Sequence, residues 1–213
     1  MRPHPCLPER AARRRRALGT GLTLLLPLVM VTVSSRPGGA TVQVRARPPA
    51  RSGPFAWLSA ATAPPGWALA VLPSGEAQVS YPPTFAPVAG DRGTVSAAMR
   101  DAHGTFLAYV NVTPRQGDER LQGFGPFRVG LLRHEDPTVV QDATEEGLLF
   151  HGGRGSCVID HYVTRIEHNR YREVACLAQG RRGSAVVVAA AMEPLWKQLF
   201  PMLRRVVASF TVR

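Results

Sequence analysis

Apolar residues fall into one long uninterrupted run near the start of the chain and many short runs after about residue 65. The long run, residues 17–33, contains no charged side chain and directly follows a block of arginines. The short runs are bounded by Gly, Pro, Asn and Asp, which is typical of strands joined by turns. The pattern predicts an N-terminal targeting segment followed by a small domain rich in strands.

The short runs are spaced as hairpins. Runs 67–72 and 77–81 are separated by Pro, Ser and Gly, which favour a tight turn. Runs 94–100 and 105–112 form a second predicted hairpin, and alternate residues of the latter share an apolar face. Further strand-like runs are 138–141, 147–151, 157–165, 170–179 and 184–190.

Two segments have helical spacing. Apolar residues between 121 and 132 recur at three- and four-residue intervals, and the firm part of this helix is predicted to start at Pro126. Residues 193–210 form an amphipathic pattern with a predicted kink at Pro201. Antiparallel strands with two inserted helices predict an α+β fold in which helices cover a central sheet.

The N-terminal segment has the pattern of an export signal. Five arginines between residues 10 and 16 precede the apolar run, and the positive side of such a segment stays in the cytoplasm. We therefore expect residues 1–35 to be a signal peptide or a signal-anchor helix, with the domain outside the cytoplasm. The 17-residue run is at the short limit for spanning a bilayer, and Ala40 suits cleavage, so both alternatives stay open.

Composition then changes along the chain. Residues 36–64 are rich in Pro, Gly, Ala and Arg and are predicted to be a linker, with residues 55–58 as a small docking element. The domain is predicted to occupy residues 65–213. The chain has 26 basic and 15 acidic residues, but residues 65–213 have 16 and 14. Because the domain itself is nearly neutral, nucleic-acid binding is not expected.

Two of the three cysteines fall on consecutive predicted strands. A turn centred near Ile166 and Glu167 places Cys157 directly opposite Cys176, which predicts a disulfide in an oxidising compartment. A turn at residues 168–169 would instead place Cys176 opposite His161 and leave two buried thiols. Cys6 precedes the arginine block and does not form a lipoprotein attachment site.

No motif predicts catalysis, a cofactor or a metal. Asp160 and His161 are adjacent on a predicted strand, so their side chains point to opposite faces and do not converge on one ion. The other histidines are scattered singly. The stretch HGGRGSC lacks the complete pattern of a phosphate loop or a nucleophile turn, so it is interpreted as a flexible connection between strands. We expect no catalytic, cofactor-binding or metal-binding residues and no cofactor.

Seven stretches of the domain carry a resemblance to known proteins: AQVSYPPTF, TVSAAMRD, TFLAYVNVTP, FGPFRVGLLRHE, GSCVIDHYVTR, YREVACLAQG and WKQLFPMLRRVVASF. Together they span nearly the whole domain. They resemble actinobacterial exported proteins with the PsbP-like fold, which is named for a photosystem extrinsic protein and shared by a nuclear-import factor.

The resemblance implies a PsbP-like α/β/α sandwich, an antiparallel sheet flanked by helices that relatives use to bind other proteins. On this basis we expect a non-enzymatic binding or interaction module, membrane-tethered or secreted. Its partner would be a protein or another cell-envelope component, and it would contact the membrane through its N-terminal segment. The alternative is a small secreted hydrolase or other enzyme whose site forms only in three dimensions.

The location prediction has a direct test. A C-terminal fusion to a reporter that is active only outside the cytoplasm should be active, because the arginine block retains the N-terminus inside. A chain without residues 1–35 should stay soluble and folded, as judged by circular dichroism. Recovery of the full-length protein wholly in the cytosol would contradict both expectations.

Overall fold

The structure, a computed structural model, describes residues 52–135 and 138–213. The predicted signal or anchor segment, residues 1–35, and the predicted cleavage position at Ala40 lie outside the described residues. Within the described ranges, no helix has the length and apolar character needed to cross a membrane.

The described residues form a seven-stranded and a three-stranded antiparallel sheet with two helices. The large sheet has the order β3-β4-β5-β9-β8-β7-β6 and the small one the order β1-β2-β10. The strands are β1 Ala68–Val71, β2 Ala77–Tyr81, β3 Ala86–Val88, β4 Val95–Arg100, β5 Phe106–Pro114, β6 Val140–Phe150, β7 Gly153–Val163, β8 Arg170–Gln179, β9 Ser184–Met192 and β10 Thr211–Val212. The helices are α1 Phe124–Glu135 and α2 Trp196–Ala208, with a 3₁₀ turn, Glu193–Leu195, directly before α2.

The large sheet is covered on both faces, because successive side chains of β7 enter two different cores. Cys157 and Ile159 belong to the larger core, which contains the buried residues of α2 and of the small sheet. Val158 points the other way into a smaller core with Phe124 and Val129 of α1. Since successive strand residues face opposite sides, one strand supplies both cores. The predicted α+β fold, an antiparallel sheet flanked by helices, is confirmed.

The larger core also contains residues from the stretch predicted as linker. Phe55 and Leu58 are buried there. Trp57 packs edge-on against Phe200 of α2, with ring centroids 5.6 Å apart. The chain from Phe55 onward therefore contributes to the core. Its Pro- and Ala-rich composition is typical of a linker and does not indicate this packing.

Two strand assignments differ from prediction for physical reasons. The runs 138–141 and 147–151 belong to one strand, β6, whose two register shifts interrupt the alternation on which the prediction depended. The stretch HGGRGSC is not a flexible connection, because β7 already begins at Gly153. There a Cβ atom would lie within 2.1 Å of the Gln179 carbonyl oxygen, so glycine permits the close approach of β8.

The remaining differences concern the helices. Helix α1 begins at Phe124, two residues before Pro126, which occupies the first turn, where no intrahelical N–H bond is lost. Helix α2 ends at Ala208 and is followed by β10, a two-residue strand that the sequence pattern did not reveal. Pro201 lies inside α2 as predicted.

The β7–β8 hairpin has the first of the two registers considered for the cysteines. Its turn is centred between Ile166 and Glu167, since Val163 pairs with Arg170. Cys157 is directly opposite Cys176, and the two form a disulfide that is wholly buried. The disulfide joins two neighbouring interior strands of the large sheet.

Removing either cysteine should have the same effect. Cys157→Ser and Cys176→Ser should each lower the free energy of unfolding by about 3 kcal/mol, because each opens the same loop of 19 residues in the unfolded chain. The double variant should cost little more than either single variant. Urea denaturation measures all three, and additive losses would contradict a cross-link.

Candidate functional site

The described structure buries a group of ionisable side chains between the large sheet and α1. Asp160 on β7 and Glu173 on β8 are directly opposite each other in the hairpin register. Their exposed fractions are 0% and 1%. Two carboxyl groups side by side in an apolar interior are costly unless they are paired or protonated. We call Asp160, Glu173, Arg128, Tyr109 and Tyr162 the buried ionic cluster.

Glu173 is the acceptor at the centre of the buried ionic cluster. Arg128 of α1 donates to its Oε1 atom from Nη2 at 3.2 Å, forming an ion pair. Tyr109 of β5 donates its hydroxyl to Oε2, also at 3.2 Å. Because Tyr109 donates its only hydroxyl proton to Glu173, Tyr162 must be the donor in the hydrogen bond between the two tyrosine hydroxyl groups, whose oxygens are 2.7 Å apart. Burial raises the pKa of both tyrosines well above 10, so both stay protonated.

Asp160 has no such partners. Neither of its carboxyl oxygens forms a hydrogen bond within the described residues, and both are buried. Burial, and next the negative charge of Glu173, raise its pKa to about 8, although Arg128 acts in the opposite direction. Asp160 is therefore protonated at neutral pH, and the buried ionic cluster carries one ion pair and one neutral carboxylic acid.

A protonated carboxyl group is the chemistry of a general acid, but this one lies beneath α1. A general acid must come within hydrogen-bond distance of its substrate, and Asp160 has no exposed surface. A cavity of about 120 Å³ lies near the start of α1. Its lining includes Glu119 and Leu121 but no member of the buried ionic cluster. The Arg128–Glu173 ion pair joins α1 to the sheet, and both carboxyl groups of the buried ionic cluster are shielded from solvent.

The opposite face of the same hairpin carries a second, more exposed polar group. Asp142, at a bulge of β6, accepts from Arg172 at 2.9 Å and lies 3.0 Å from Nδ1 of His161. The Arg172 guanidinium lies over the ring of Trp196, 5.6 Å from its centroid. As predicted, Asp160 and His161 point to opposite faces, so they belong to different groups.

Three further histidines lie in different parts of the described structure. His103 lies in the β4–β5 turn, where Asp101 accepts from its backbone N–H. His151 forms a bridge with Thr211, and His134 accepts from Arg165 through its carbonyl oxygen. Within the described ranges, no group of three or more His, Cys, Asp or Glu side chains is arranged to hold a metal ion.

Sequence reasoning considered Asp160 with His161 and missed its pairing with Glu173. The sequence does contain the information needed to predict this pairing. The register that places Cys157 opposite Cys176 also places residue 160 opposite residue 173, three positions further along each strand towards the turn. Arg128 and Tyr109 could not be found this way, because they reach the site through tertiary packing of α1 and through β5.

No family model matches the chain, and no curated protein matches it. Three solved structures illustrate what it is similar to. The first is a protein from Bacteroides thetaiotaomicron at 11% identity and a TM-score of 0.41, covering 68% of this chain. This chain spans about half of that protein, 48% of its length.

The second is cyanobacterial PsbP from Synechocystis, at 14% identity and a TM-score of 0.48, covering 70% of this chain and 93% of that one. The third is LpqN, described as involved in cell envelope biogenesis of Mycobacterium tuberculosis, at 11% identity and a TM-score of 0.41. The matched region covers 70% of this chain and 86% of LpqN. These similarities concern fold, and no argument about function rests on them. The resemblance to actinobacterial exported proteins stays a prediction.

The raised pKa of Asp160 predicts how stability changes with pH. The folded state keeps this proton up to about pH 8, whereas an unfolded Asp loses it near pH 4. Asp160 therefore makes the free energy of unfolding fall as pH rises between these values, and the fall ends above about pH 8.

Asp160→Asn should remove this contribution, because the amide does not titrate. The variant should be more stable than the wild type at pH 9, by an amount that narrows as the pH falls towards 4, as measured by urea denaturation. Asp118→Asn, which changes an exposed carboxyl group, is the matched control and should leave the profile unchanged. Parallel profiles for Asp160→Asn and the wild type would contradict the burial of a protonated acid.

Proposed function

We propose that this chain is an extracytoplasmic interaction module, membrane-tethered or secreted, that binds an extended segment of a protein partner along strand β1. The export pattern of residues 1–35 supports the location. The buried disulfide between β7 and β8 supports it as well, because structural disulfides persist in oxidising compartments.

The observation that carries the binding proposal is the outer edge of β1, with which no strand in residues 52–135 or 138–213 pairs. Ser80, the β2 partner of Leu69, donates its backbone N–H to Ser209 on the side away from β1, at 3.1 Å. In an antiparallel pair, two residues that lie opposite each other either exchange backbone hydrogen bonds or both direct their backbone N–H and C=O groups away from each other. The backbone groups of Leu69, and of Val71 two positions on, therefore point outward from the sheet.

The same two residues also expose their side chains. Leu69 is 55% and Val71 is 41% exposed, and they share one face of β1. Backbone donors and acceptors thus lie beside apolar side chains on the same short edge. An added strand would form hydrogen bonds with these backbone groups, and every second side chain of that strand would contact Leu69 and Val71. Extended peptides bind sheet edges in this way.

The other edges of the described sheets are protected against such pairing. Strand β3 has three residues and contains Pro87, which has no N–H to donate. Strand β6 is bulged in two places and carries Asp142, Glu145 and Glu146. Strand β10 has two residues. Among the edge strands longer than three residues, β1 is the one without a charge or a bulge, and it contains no proline, so the proposal commits to it.

The enzymatic alternative finds less support in the geometry. The two opposed buried carboxyl groups, Asp160 and Glu173, lie beneath α1, and the described residues contain no group of three or more His, Cys, Asp or Glu that could hold a metal ion. An exposed β edge recognises a backbone and two apolar side chains and needs no reacting group. The expected occupant is an extended, apolar polypeptide segment.

A peptide selection tests this proposal. Full-length protein in non-ionic detergent is used to select from a phage-displayed library of random peptides, and selected peptides are measured by fluorescence polarisation. Leu69→Lys should weaken binding by about tenfold, because it places a charge where an apolar contact is desolvated. Leu149→Lys on β6 is the matched control, since Leu149 is 51% exposed, and it should have no effect.

Leu69→Pro separates the backbone from the side chain. The Leu69 N–H points outward, so proline there removes a donor to the added strand without removing a β1–β2 bond. Binding should be lost while far-UV circular dichroism stays unchanged. Failure to select any peptide, or equal loss with Leu149→Lys, would overturn the proposal. Concentration-dependent dimerisation that Leu69→Lys abolishes would show instead that a second copy of this chain occupies the edge.

A further inference from the structure

Three chain segments that are distant in sequence meet at one end of the large sheet. They are the β6–β7 turn at Gly152, the β8–β9 turn at residues 180–183, and the C-terminal strand β10 with Arg213. Val212 donates its N–H to the His151 carbonyl at 2.9 Å, and Arg182 donates its N–H to the Arg213 carbonyl at 2.6 Å. These backbone bonds fix the segments relative to one another.

Glycine makes this meeting possible. A Cβ atom at Gly152 would lie 1.9 Å from the Val212 carbonyl oxygen, and its φ of +82° also favours glycine. A Cβ atom at Gly180 would lie 2.6 Å from the Arg213 carbonyl oxygen. The segments are therefore in backbone contact, and the side chains that project from them start from a rigid base.

Three of the residues that line this end of the sheet are arginines. A surface depression of about 290 Å³ is lined by Arg181, Arg182, Arg213, Gly152 and Val212. Its volume is close to the roughly 300 Å³ at the lower end of small-ligand sites. Among the described residues, none of these three arginines forms an ion pair, and all three are exposed.

Three positive charges around one depression are unusual on a domain whose charge is otherwise balanced. No acidic side chain lines the depression. The side chain of Glu76, which approaches Gly183, offsets part of the charge but leaves a positive surplus. Like charges held close together on a rigid base repel one another, and a bound anion relieves that repulsion.

We propose that this depression, the arginine site, binds a phosphate-bearing anion. Guanidinium groups present paired N–H donors that match the oxygens of a phosphate group, and several of them around one depression bind it from different sides. The phosphate group belongs either to a soluble anion or to a lipid headgroup. The arginine site shares no residue with the β1 edge, so either proposal can fail while the other stands.

The test follows the arginine side chains themselves. Full-length protein is held in non-ionic detergent micelles, and the guanidinium Nε–H signals of Arg181, Arg182 and Arg213 are assigned by single Arg→Gln variants. One arm titrates pyrophosphate, and the other adds phosphatidylglycerol to the micelles. The readout is local, so the basic N-terminal segment does not contribute to it.

The site signals should shift saturably in at least one arm, and Arg181→Gln combined with Arg182→Gln should weaken binding by about tenfold or more. Arg165→Gln, in the β7–β8 turn at the opposite end of the strands, is the matched control and should leave affinity unchanged. Binding should also weaken as salt is raised. A response to pyrophosphate identifies a soluble anion, and a response to lipid alone identifies a headgroup. The proposal is overturned if neither arm shifts the signals, or if Arg165→Gln weakens binding equally.

Discussion

The register of the β7–β8 hairpin is the constraint on which the rest of the domain depends. It places Cys157 opposite Cys176 on one face and Asp160 opposite Glu173 on the other. A slip of one residue would turn every side chain of one strand to the wrong face. The disulfide would then be lost, and carboxyl groups would enter the larger core. The cross-link and the ion pair with Arg128 therefore favour the same register from opposite sides of the sheet.

Much of the fold could be predicted from the sequence, because alternation and turn residues are local signals. Strand β8 was predicted with its observed bounds, since Asn169 and Gly180 delimit it and residues 174–178 form a continuous apolar run. Local signals failed where tertiary contacts decide. The bulges of β6 imitate a turn, and Phe55 is buried by packing against elements far along the chain.

The candidate sites were harder to predict for the same reason. The pairing of Asp160 with Glu173 follows from one hairpin, whereas Arg128 arrives on a helix with no sequence link to that hairpin. The arginine site is harder still, because Arg182 and Arg213 meet only when β10 returns to the sheet. A two-residue strand is too short to show an alternation of apolar and polar residues in the sequence. Yet the pairing of this strand brings distant segments together to form the arginine site.

The uneven protection of the sheet edges determines what kind of assembly this domain can form. With β3, β6 and β10 blocked, a strand added at β1 leaves no second open edge of the described sheets to continue the pairing. If two copies met through β1, they would close as a twofold pair instead of growing into a fibre. If the edge of β1 binds a strand as proposed, the domain would stop the growth of a β-sheet, and its complexes would have a fixed stoichiometry.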